Sequence, residues 1–100
     1  MSDTSTSTSI QTTVGLKTPS LWKVVLHNDD FTPMDFVTQI LIHVFGKSHE
    51  EAEAIMMHVH NNGSANIGPF TKEVAVTKAL LVKYYAEAAQ HPLLAVAEEA

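Results

Sequence analysis

The spacing of apolar residues along the chain predicts three strands and three helices in the order β-α-α-β-α-β. Residues 21–27, which are rich in Val, Leu and Trp, predict the first strand, and residues 64–68 and 93–97 predict the other two. Pro69 lacks an N–H, so the second strand should lie at a sheet edge or end early. Three strands cannot bury both faces alone, so we expect an α+β fold of two layers, a three-stranded antiparallel sheet packed with three helices.

Each predicted helix begins at a residue suited to capping its first turn. Thr32 and Thr71 are placed to cap the first and third helices, and Ser48 forms a capping box with Glu51 at the start of the second. The third helix should extend to about residue 89, before a His-Pro break. Apolar residues follow at helical spacing in the first helix, at Met34, Val37, Leu41, Val44 and Phe45. The second helix has the apolar stripe Ala52, Ile55, Met56 and Val59, and the third contains Val74, Leu81 and Tyr85.

The first twenty residues differ in composition from the rest of the chain. Ser and Thr dominate them, charge is nearly absent, and few side chains could be buried, so ordering them would cost more entropy than contacts return. We therefore expect residues 1–20 to be a disordered N-terminal extension and residues 21–97 to form one domain. A total of 100 residues, 45% of them apolar, suits a single small core.

Charge and cysteine content exclude several classes of protein. Six Lys and Arg against eleven Asp and Glu give a net charge of −5, the wrong sign for a general nucleic-acid-binding protein. The absence of cysteine excludes disulfides, thiolate nucleophiles and cysteine-ligated zinc, and it is compatible with a reducing cytoplasm. No apolar run approaches the ~18 residues of a membrane span, and no secretion signal is visible. We expect a cytoplasmic protein without membrane contacts.

Helical periodicity brings a small group of polar and apolar residues together. Met56, Val59 and His60 share one face of the second helix, and Met34 lies at the start of the first, after the acidic turn of residues 28–30. If the two helices form an antiparallel hairpin, His60 lies close to that turn. The result would be a site with polar acceptors at its mouth and Met and Val walls inside. Such a site suits a ligand that joins a cation to an apolar side chain.

Each part of this group also has a purely structural interpretation. An apolar stripe at helical spacing usually packs in a core, and a His near a helix end is usually satisfied there by the helix dipole. A different class, a small metal-dependent hydrolase, would use Asp29, Asp30 and histidines as ligands. His58 and His60 point to different helix faces, however, so zinc would also need His27 and an aspartate.

Several separated segments resemble the ClpS family, the adaptors of the bacterial N-end rule. These segments are residues 24–37, 55–60, Gly63, 70–75, 77–78 and 91–94, which together extend over nearly everything from Leu21 to Leu94. The resemblance implies an adaptor without enzymatic activity or cofactor. It would bind free N-termini that begin with Leu, Phe, Tyr or Trp, and deliver them to the Clp unfoldase, ClpA or ClpC, for degradation by ClpP.

The resemblance also implies roles for individual residues. The positions that match those around the ligand's α-amino group are Asn28, Asp29, Asp30 and His60. The positions that match the side-chain pocket are Thr32, Met34, Val37, Met56, Val59 and Leu93. The positions that match the face docking on the N-terminal domain of the unfoldase are Glu73 and Lys78. The Ser/Thr-rich extension corresponds to the family's N-terminal extension, which engages the unfoldase, and no metal, nucleic acid or second copy of the chain is expected.

Two further interpretations stay open. The chain could be a ClpS paralogue with narrowed specificity, or a plain interaction domain of similar fold, such as the C-terminal domain of the ribosomal stalk protein. The stalk domain lacks the Asn-Asp-Asp turn and the paired histidine. Four positions depart from the family pattern. Pro69 stands where an apolar residue is usual, Phe31 replaces a common Tyr, Asn61 stands where an aromatic residue is frequent, and Val76 stands where an acidic residue is common on the third helix.

Overall fold

Six elements follow one another in the predicted order in residues 19–100, the part of the chain that the computed structural model describes. Their bounds are β1 (Trp22–His27), α1 (Met34–His43), α2 (His49–Asn62), β2 (Ser64–Phe70), α3 (Lys72–Ala88) and β3 (Leu94–Glu99). The predicted disordered extension falls almost entirely outside the described residues. No helix within residues 19–100 is long and apolar enough to cross a membrane.

β1 is the central strand of an antiparallel sheet with the order β2-β1-β3. Val24 and Leu26 are fully buried, because alternate side chains of β1 point to the face that the helices cover. β2 is an edge strand, as Pro69 predicted, but it continues to Phe70 instead of ending early. An edge strand pairs with a neighbour on one side only. It therefore accommodates a proline, because the backbone groups on its open side form no hydrogen bonds to another strand.

The three helices pack on one face of the sheet and give the predicted two-layer α+β fold. One cluster of buried residues joins Leu26 of β1 and Ile67 of β2 to side chains from all three helices. Its helical members are Val37, Ile40 and Leu41 of α1, Ala52, Met56 and Val59 of α2, and Val82 and Ala86 of α3.

Two of the three predicted caps are confirmed and one is wrong. Ser48 and Glu51 form both bonds of the capping box at 3.1 Å, and the Thr71 hydroxyl accepts from the Val74 N–H at 3.3 Å. Thr32 does not cap α1. Pro33 holds the N-cap position, and its carbonyl accepts from the N–H groups of the first turn while no side chain caps them. The Thr32 hydroxyl instead donates to Asp29.

The buried stripe of α3 lies one position along the helix from Val74, Leu81 and Tyr85. Val74 and Tyr85 are 41% and 46% exposed, and the buried residues are Ala75, Val82 and Ala86. α3 carries apolar residues around most of its circumference, so hydrophobic periodicity alone cannot decide which stripe is buried. Alanine at two of the three buried positions allows the helix backbone to approach the sheet closely, and the larger side chains remain outside.

Lys78 ties α3 to the end of α1. Its ammonium donates to the Val44 carbonyl at 2.8 Å and lies 5.8 and 5.9 Å from the ring centroids of Phe45 and Phe70. The last carbonyls of a helix lack partners within the helix and carry partial negative charge, so a partly buried cation stabilises this end of α1.

Lys78→Met, which keeps the length of the side chain but removes its charge and donors, is expected to lower the free energy of unfolding. The loss should be about 1.5–3 kcal/mol, the usual contribution of a hydrogen bond to a charged group. Urea denaturation monitored by circular dichroism measures it. Lys83→Met, on an exposed part of the same helix, is the matched control and should have an effect within about 0.5 kcal/mol. Equal effects of the two substitutions would contradict the role given to Lys78.

Candidate functional site

A cavity of about 220 Å³ lies where the end of β1 meets the start of α1 and the end of α2. It is lined by Asn28, Asp29, Asp30, Thr32, Met34, Val37, Met56, Val59 and His60. These are all the residues predicted for the α-amino site and the side-chain pocket except Leu93. The antiparallel pairing of α1 and α2 brings them together, because it places the last turn of α2 beside the turn that precedes α1.

Polar and apolar groups are separated within the cavity. Val37, Met56 and Val59 form an apolar interior and are only 7%, 9% and 2% exposed. Met34 lies at the border and is 42% exposed, and the mouth carries the solvent-exposed Asn28, Asp30 and His60. A ligand here meets acceptors at the rim and an apolar interior below them.

A backbone hydrogen bond fixes the two halves of the mouth relative to each other. The Asn28 N–H donates to the Gly63 carbonyl at 2.8 Å, which joins the residue after β1 to the residue that ends α2. Gly63 has a φ of +89°, a left-handed conformation that residues with a side chain rarely adopt. His60 lies three residues before Gly63, so this bond keeps the Asn28 and His60 side chains on the same rim.

Asp29 shapes the loop between β1 and α1 with its carboxylate. One oxygen, Oδ1, accepts from the N–H groups of Phe31 at 2.8 Å and Thr32 at 2.7 Å, and the other accepts from the Thr32 hydroxyl at 2.8 Å. Both oxygens are therefore already engaged within the loop. Asp29 contributes negative charge and a fixed backbone to the site, and Asp30 beside it is an exposed carboxylate that lines the cavity.

The hydrogen bonds of Asp29 also decide its protonation. Partial burial raises the pKa of this carboxyl, but the bonds from the Thr32 hydroxyl and from the N–H groups of Phe31 and Thr32 together outweigh that effect. The net pKa lies below the ordinary value of an aspartate. Asp29 is thus ionised at neutral pH, and its charge adds to the negative potential at the mouth.

The acceptors at the rim match a cationic group with several N–H donors. Within residues 19–100, no hydrogen bond engages the side-chain acceptors of Asn28, Asp30 or His60. An amide oxygen, a carboxylate and a neutral imidazole nitrogen can each accept one of the three N–H donors of an ammonium. The site can therefore hold an ammonium group whose attached side chain points into the apolar interior.

The remaining predicted residues lie elsewhere. Leu93 is buried in the same core cluster as Val37 and Met56 but does not line the cavity, so its role in the pocket stays a prediction. Glu73 is exposed in the first turn of α3, beside Lys72, whose ammonium lies 5.3 Å from the Trp22 ring. Trp22 is the first residue of β1, and the cavity lies beyond the last residue of this strand. Glu73 is therefore separated from the cavity by about the length of β1, roughly 17 Å at about 3.3 Å per residue.

The arrangement of histidines does not support the metal-dependent hydrolase. His27 points to the opposite face of the sheet from Leu26, and the His58 ring is paired with the Asn62 amide at 3.1 Å. In the part of the chain that the structure describes, no three His, Asp or Glu side chains are close enough to hold a metal ion.

Of the two contacts that give the mouth its shape, sequence reasoning missed one. Asp29 accepts from the N–H groups of the residues two and three positions later, Phe31 and Thr32. Aspartates in turns commonly form such bonds, so this contact can be expected from the sequence. The bond from Asn28 to Gly63 joins residues far apart in sequence, and no local signal predicts it.

Comparison with known proteins identifies the family. Residues 17–96 match the family described as "ATP-dependent Clp protease adaptor protein ClpS". The ATP-dependent Clp protease adapter protein ClpS 1 of Rhizobium meliloti is 53% identical over 83 residues, which are 83% of this chain and 71% of that protein. The ClpS of Methylococcus capsulatus is 49% identical over 85 residues, 85% of this chain and 80% of that protein.

A solved structure shares the fold. The structure of Agrobacterium tumefaciens ClpS2 bound to L-phenylalaninamide superimposes with a TM-score of 0.80 and 37% sequence identity. The match covers 83% of this chain and 100% of that one. Together with the match over residues 17–96, this similarity shows that the chain belongs to the ClpS family of ATP-dependent Clp protease adaptors.

Proposed function

We propose that this adaptor binds the free N-terminus of proteins that begin with Leu, Phe, Tyr or Trp and delivers them to a Clp AAA+ unfoldase for proteolysis. The observation that carries the proposal is the cavity that combines an apolar interior with a rim of acceptors suited to an ammonium. A free N-terminal residue with a bulky side chain joins those two chemistries in one group.

The α-amino group supplies specificity for a chain terminus. It carries one positive charge and three N–H donors, and the carboxylate of Asp30, the amide oxygen of Asn28 and the neutral ring of His60 are its partners, directly or through water. A residue within a protein chain presents, in place of this ammonium, a neutral backbone amide with at most one N–H donor. The negative charge of Asp29 favours the cation without giving up the hydrogen bonds of its own loop.

The side-chain preference follows from the interior. Burying one large apolar side chain contributes about 1.5–3 kcal/mol, so the ammonium contacts must supply much of the affinity. Met34 and Met56 suit a wall that accepts both aliphatic and aromatic side chains, because an unbranched thioether adapts its conformation to different shapes.

The similar ClpS2 protein supports this ligand class. L-Phenylalaninamide has a free α-amino group, an aromatic side chain and an amide in place of the next peptide bond, so it is a minimal N-terminal residue. The shared fold and the cavity of this chain make the same ligand chemistry the best-supported choice here.

Delivery requires a second surface that remains accessible when the cavity is filled. Glu73 lies near the other end of the sheet from the cavity, so an unfoldase domain that contacts it would not cover the mouth. We assign the docking of the N-terminal domain of ClpA or ClpC to this end of α3, with the N-terminal extension as a further contact. Lys78 is a poorer probe of docking, since its ammonium stabilises the end of α1.

A peptide with a free N-terminal Leu should bind to the adaptor, and its N-acetylated counterpart should bind roughly 10- to 100-fold more weakly, because acetylation removes the charge and two donors. Fluorescence anisotropy with a dye at the C-terminal end of each peptide measures both affinities. A third peptide with one Gly added before Leu controls for apolar contacts alone. Equal affinity of the free and acetylated peptides would contradict the proposed function.

Four free peptides that begin with Leu, Phe, Tyr or Trp then distinguish a broad adaptor from a paralogue that accepts only some of them.

The loop that Asp29 shapes should govern both binding and acid stability. Asp29→Ala removes three hydrogen bonds and should weaken peptide binding several-fold, whereas Asp29→Asn keeps an oxygen that accepts from both N–H groups and should bind peptide better than the alanine variant. Because folding lowers the pKa of Asp29, ionisation of this group stabilises the fold above the ordinary pKa of an aspartate. This contribution is lost as pH falls through the folded value.

Urea denaturation at a series of pH values, with peptide titrations at neutral pH, tests these expectations. The advantage in stability of the wild type over Asp29→Asn should shrink as pH falls from 7 to about 2.5. A constant difference over that range, or equal peptide affinity of the alanine and asparagine variants, would show that the turn does not support the site.

Glu73→Lys should leave peptide affinity unchanged and slow degradation of an N-terminal Leu substrate by the Clp unfoldase and ClpP at least several-fold, since it reverses a charge on the proposed docking face. Glu87→Lys, an exposed glutamate near the other end of the same helix, is the matched control. Normal delivery by the Glu73 variant would contradict the assignment of this face.

A further inference from the structure

A second, larger groove lies between α3 and β3, away from the cavity that holds the proposed ligand. Its volume is about 390 Å³, and Val76 and Leu80 of α3 and Ala95 and Ala97 of β3 form much of its apolar lining. Val76 and Leu80 are 38% and 59% exposed, so two apolar side chains of α3 face solvent beside small alanines. The groove and the cavity at the end of β1 share no lining residue.

The groove lies along an open sheet edge. The Ala100 N–H donates to the Leu21 carbonyl at 2.8 Å, and antiparallel pairing then alternates along β3. Consequently the backbone N–H and C=O groups of Ala95, Ala97 and Glu99 point away from β1, towards a side where no strand of the described residues pairs.

The two edges of the sheet differ in how they oppose a further strand. β2 contains Pro69, which lacks an N–H, and its pairing with β1 has an irregular register between Trp22 and Val24. β3 contains neither proline nor lysine, and it pairs with β1 in continuous register over its whole length. Of the two edges, β3 is therefore the one that can accept another strand.

α3 runs antiparallel to β3, which fixes where the charges of the groove lie. The Lys72 ammonium lies 5.3 Å from the ring of Trp22, and Trp22 pairs with Glu99, so α3 begins beside the end of β3. From Lys72 to Lys83 the helix rises roughly 16 Å at about 1.5 Å per residue. From Glu99 back to Ala95 the strand spans roughly 13 Å at about 3.3 Å per residue. Lys83 is therefore level with Ala95, and too far from Glu99 of its own chain to pair with it.

The two ends of the groove carry opposite charges. Lys83 lines the groove together with Glu87 and His91, and within the described part of the chain it forms no ion pair. At the other end, Glu99 is exposed and lies on the same face of β3 as the alanines that line the groove, because alternate residues of a strand share a face. An antiparallel second copy would bring Glu99 of one chain to Lys83 of the other.

We propose that two copies of the chain pair through their β3 edges, antiparallel about a two-fold axis, and form a continuous six-stranded sheet. The end of one β3 then lies beside the start of the other, so Glu99 of each copy meets Lys83 of its mate and the contact occurs twice. The outward backbone groups of the two β3 strands pair with each other. The two α3 helices lie side by side above this seam, and Val76 and Leu80 pack along it instead of facing solvent.

The dimer has consequences for both proposed binding surfaces. It leaves the lining of both cavities free, because the groove shares no residue with them. It competes with docking on the unfoldase, since Glu73 lies one turn before Val76 on the same side of α3. That competition rests on the proposed docking face, whereas the pairing rests on the groove and the edge alone. The dimer departs from the single copy that the family resemblance implies.

Sedimentation velocity of the full chain, at concentrations from about 1 μM to about 1 mM, tests the pairing. We expect the fraction of dimer to rise with protein concentration. Ala97→Pro should raise the dissociation constant of the dimer at least roughly tenfold, because it removes an N–H that points away from β1 and leaves the bonds between β3 and β1 in place. Circular dichroism verifies that this variant is folded.

Reversal of the charges at the two ends of the groove provides an independent comparison. Lys83→Glu and Glu99→Lys should each raise the dissociation constant roughly tenfold, because each turns two attractive contacts into repulsive ones. The combined variant should return to within about threefold of the wild type, since the exchanged charges attract again. Glu98→Lys, on the other face of the same strand, changes the net charge equally and should also stay within about threefold.

A chain that remains monomeric over the whole concentration range would overturn the proposal. A dimer that Ala97→Pro and the single charge variants leave unchanged would place the contact on another surface and would overturn it as well. So would a dimer that Lys83→Glu and Glu99→Lys each weaken but that their combination does not restore, because the two residues would then not meet.

Discussion

The hydrogen bond from the Asn28 N–H to the Gly63 carbonyl is the constraint on which the binding site depends. It joins the end of the central strand to the end of α2, two points that are distant in sequence. The central strand is held by neighbours on both sides and buried in the core, so it provides a rigid reference for the mouth. Without this bond, the acceptors of Asn28 and His60 would lie on two independently moving segments.

The Asp29 turn extends the same rigidity to the loop before α1. Its carboxylate satisfies two backbone N–H groups and one hydroxyl, so the loop is ordered before any ligand arrives. A preorganised rim lowers the entropic cost of binding a small group such as a chain terminus. The same construction leaves Asp30 as the carboxylate that faces solvent at the mouth, while the apolar interior is closed by core residues shared with the sheet.

The sequence predicted the elements and most of the site because both depend on local patterns. Capping residues and helical spacing placed His60 and Met56 on one face, and pairing of α1 with α2 was enough to bring that face to the acidic turn. Where the signal is not local, sequence reasoning failed. α3 is apolar around most of its circumference, so hydrophobic periodicity does not decide which of its stripes is buried. Thr32 resembled a cap but bonds to Asp29, and the partner of Lys78 is a carbonyl 34 residues away.

The most direct measurement is a crystal structure of this chain with L-phenylalaninamide. We expect the ammonium to lie within hydrogen-bond distance of the Asn28 amide oxygen and a ring nitrogen of His60, with Asp30 contacting it directly or through one water. The phenyl ring should enter the interior formed by Val37, Met56 and Val59. A ligand that binds outside this cavity, or one whose ammonium points away from Asn28 and His60, would contradict the central claim.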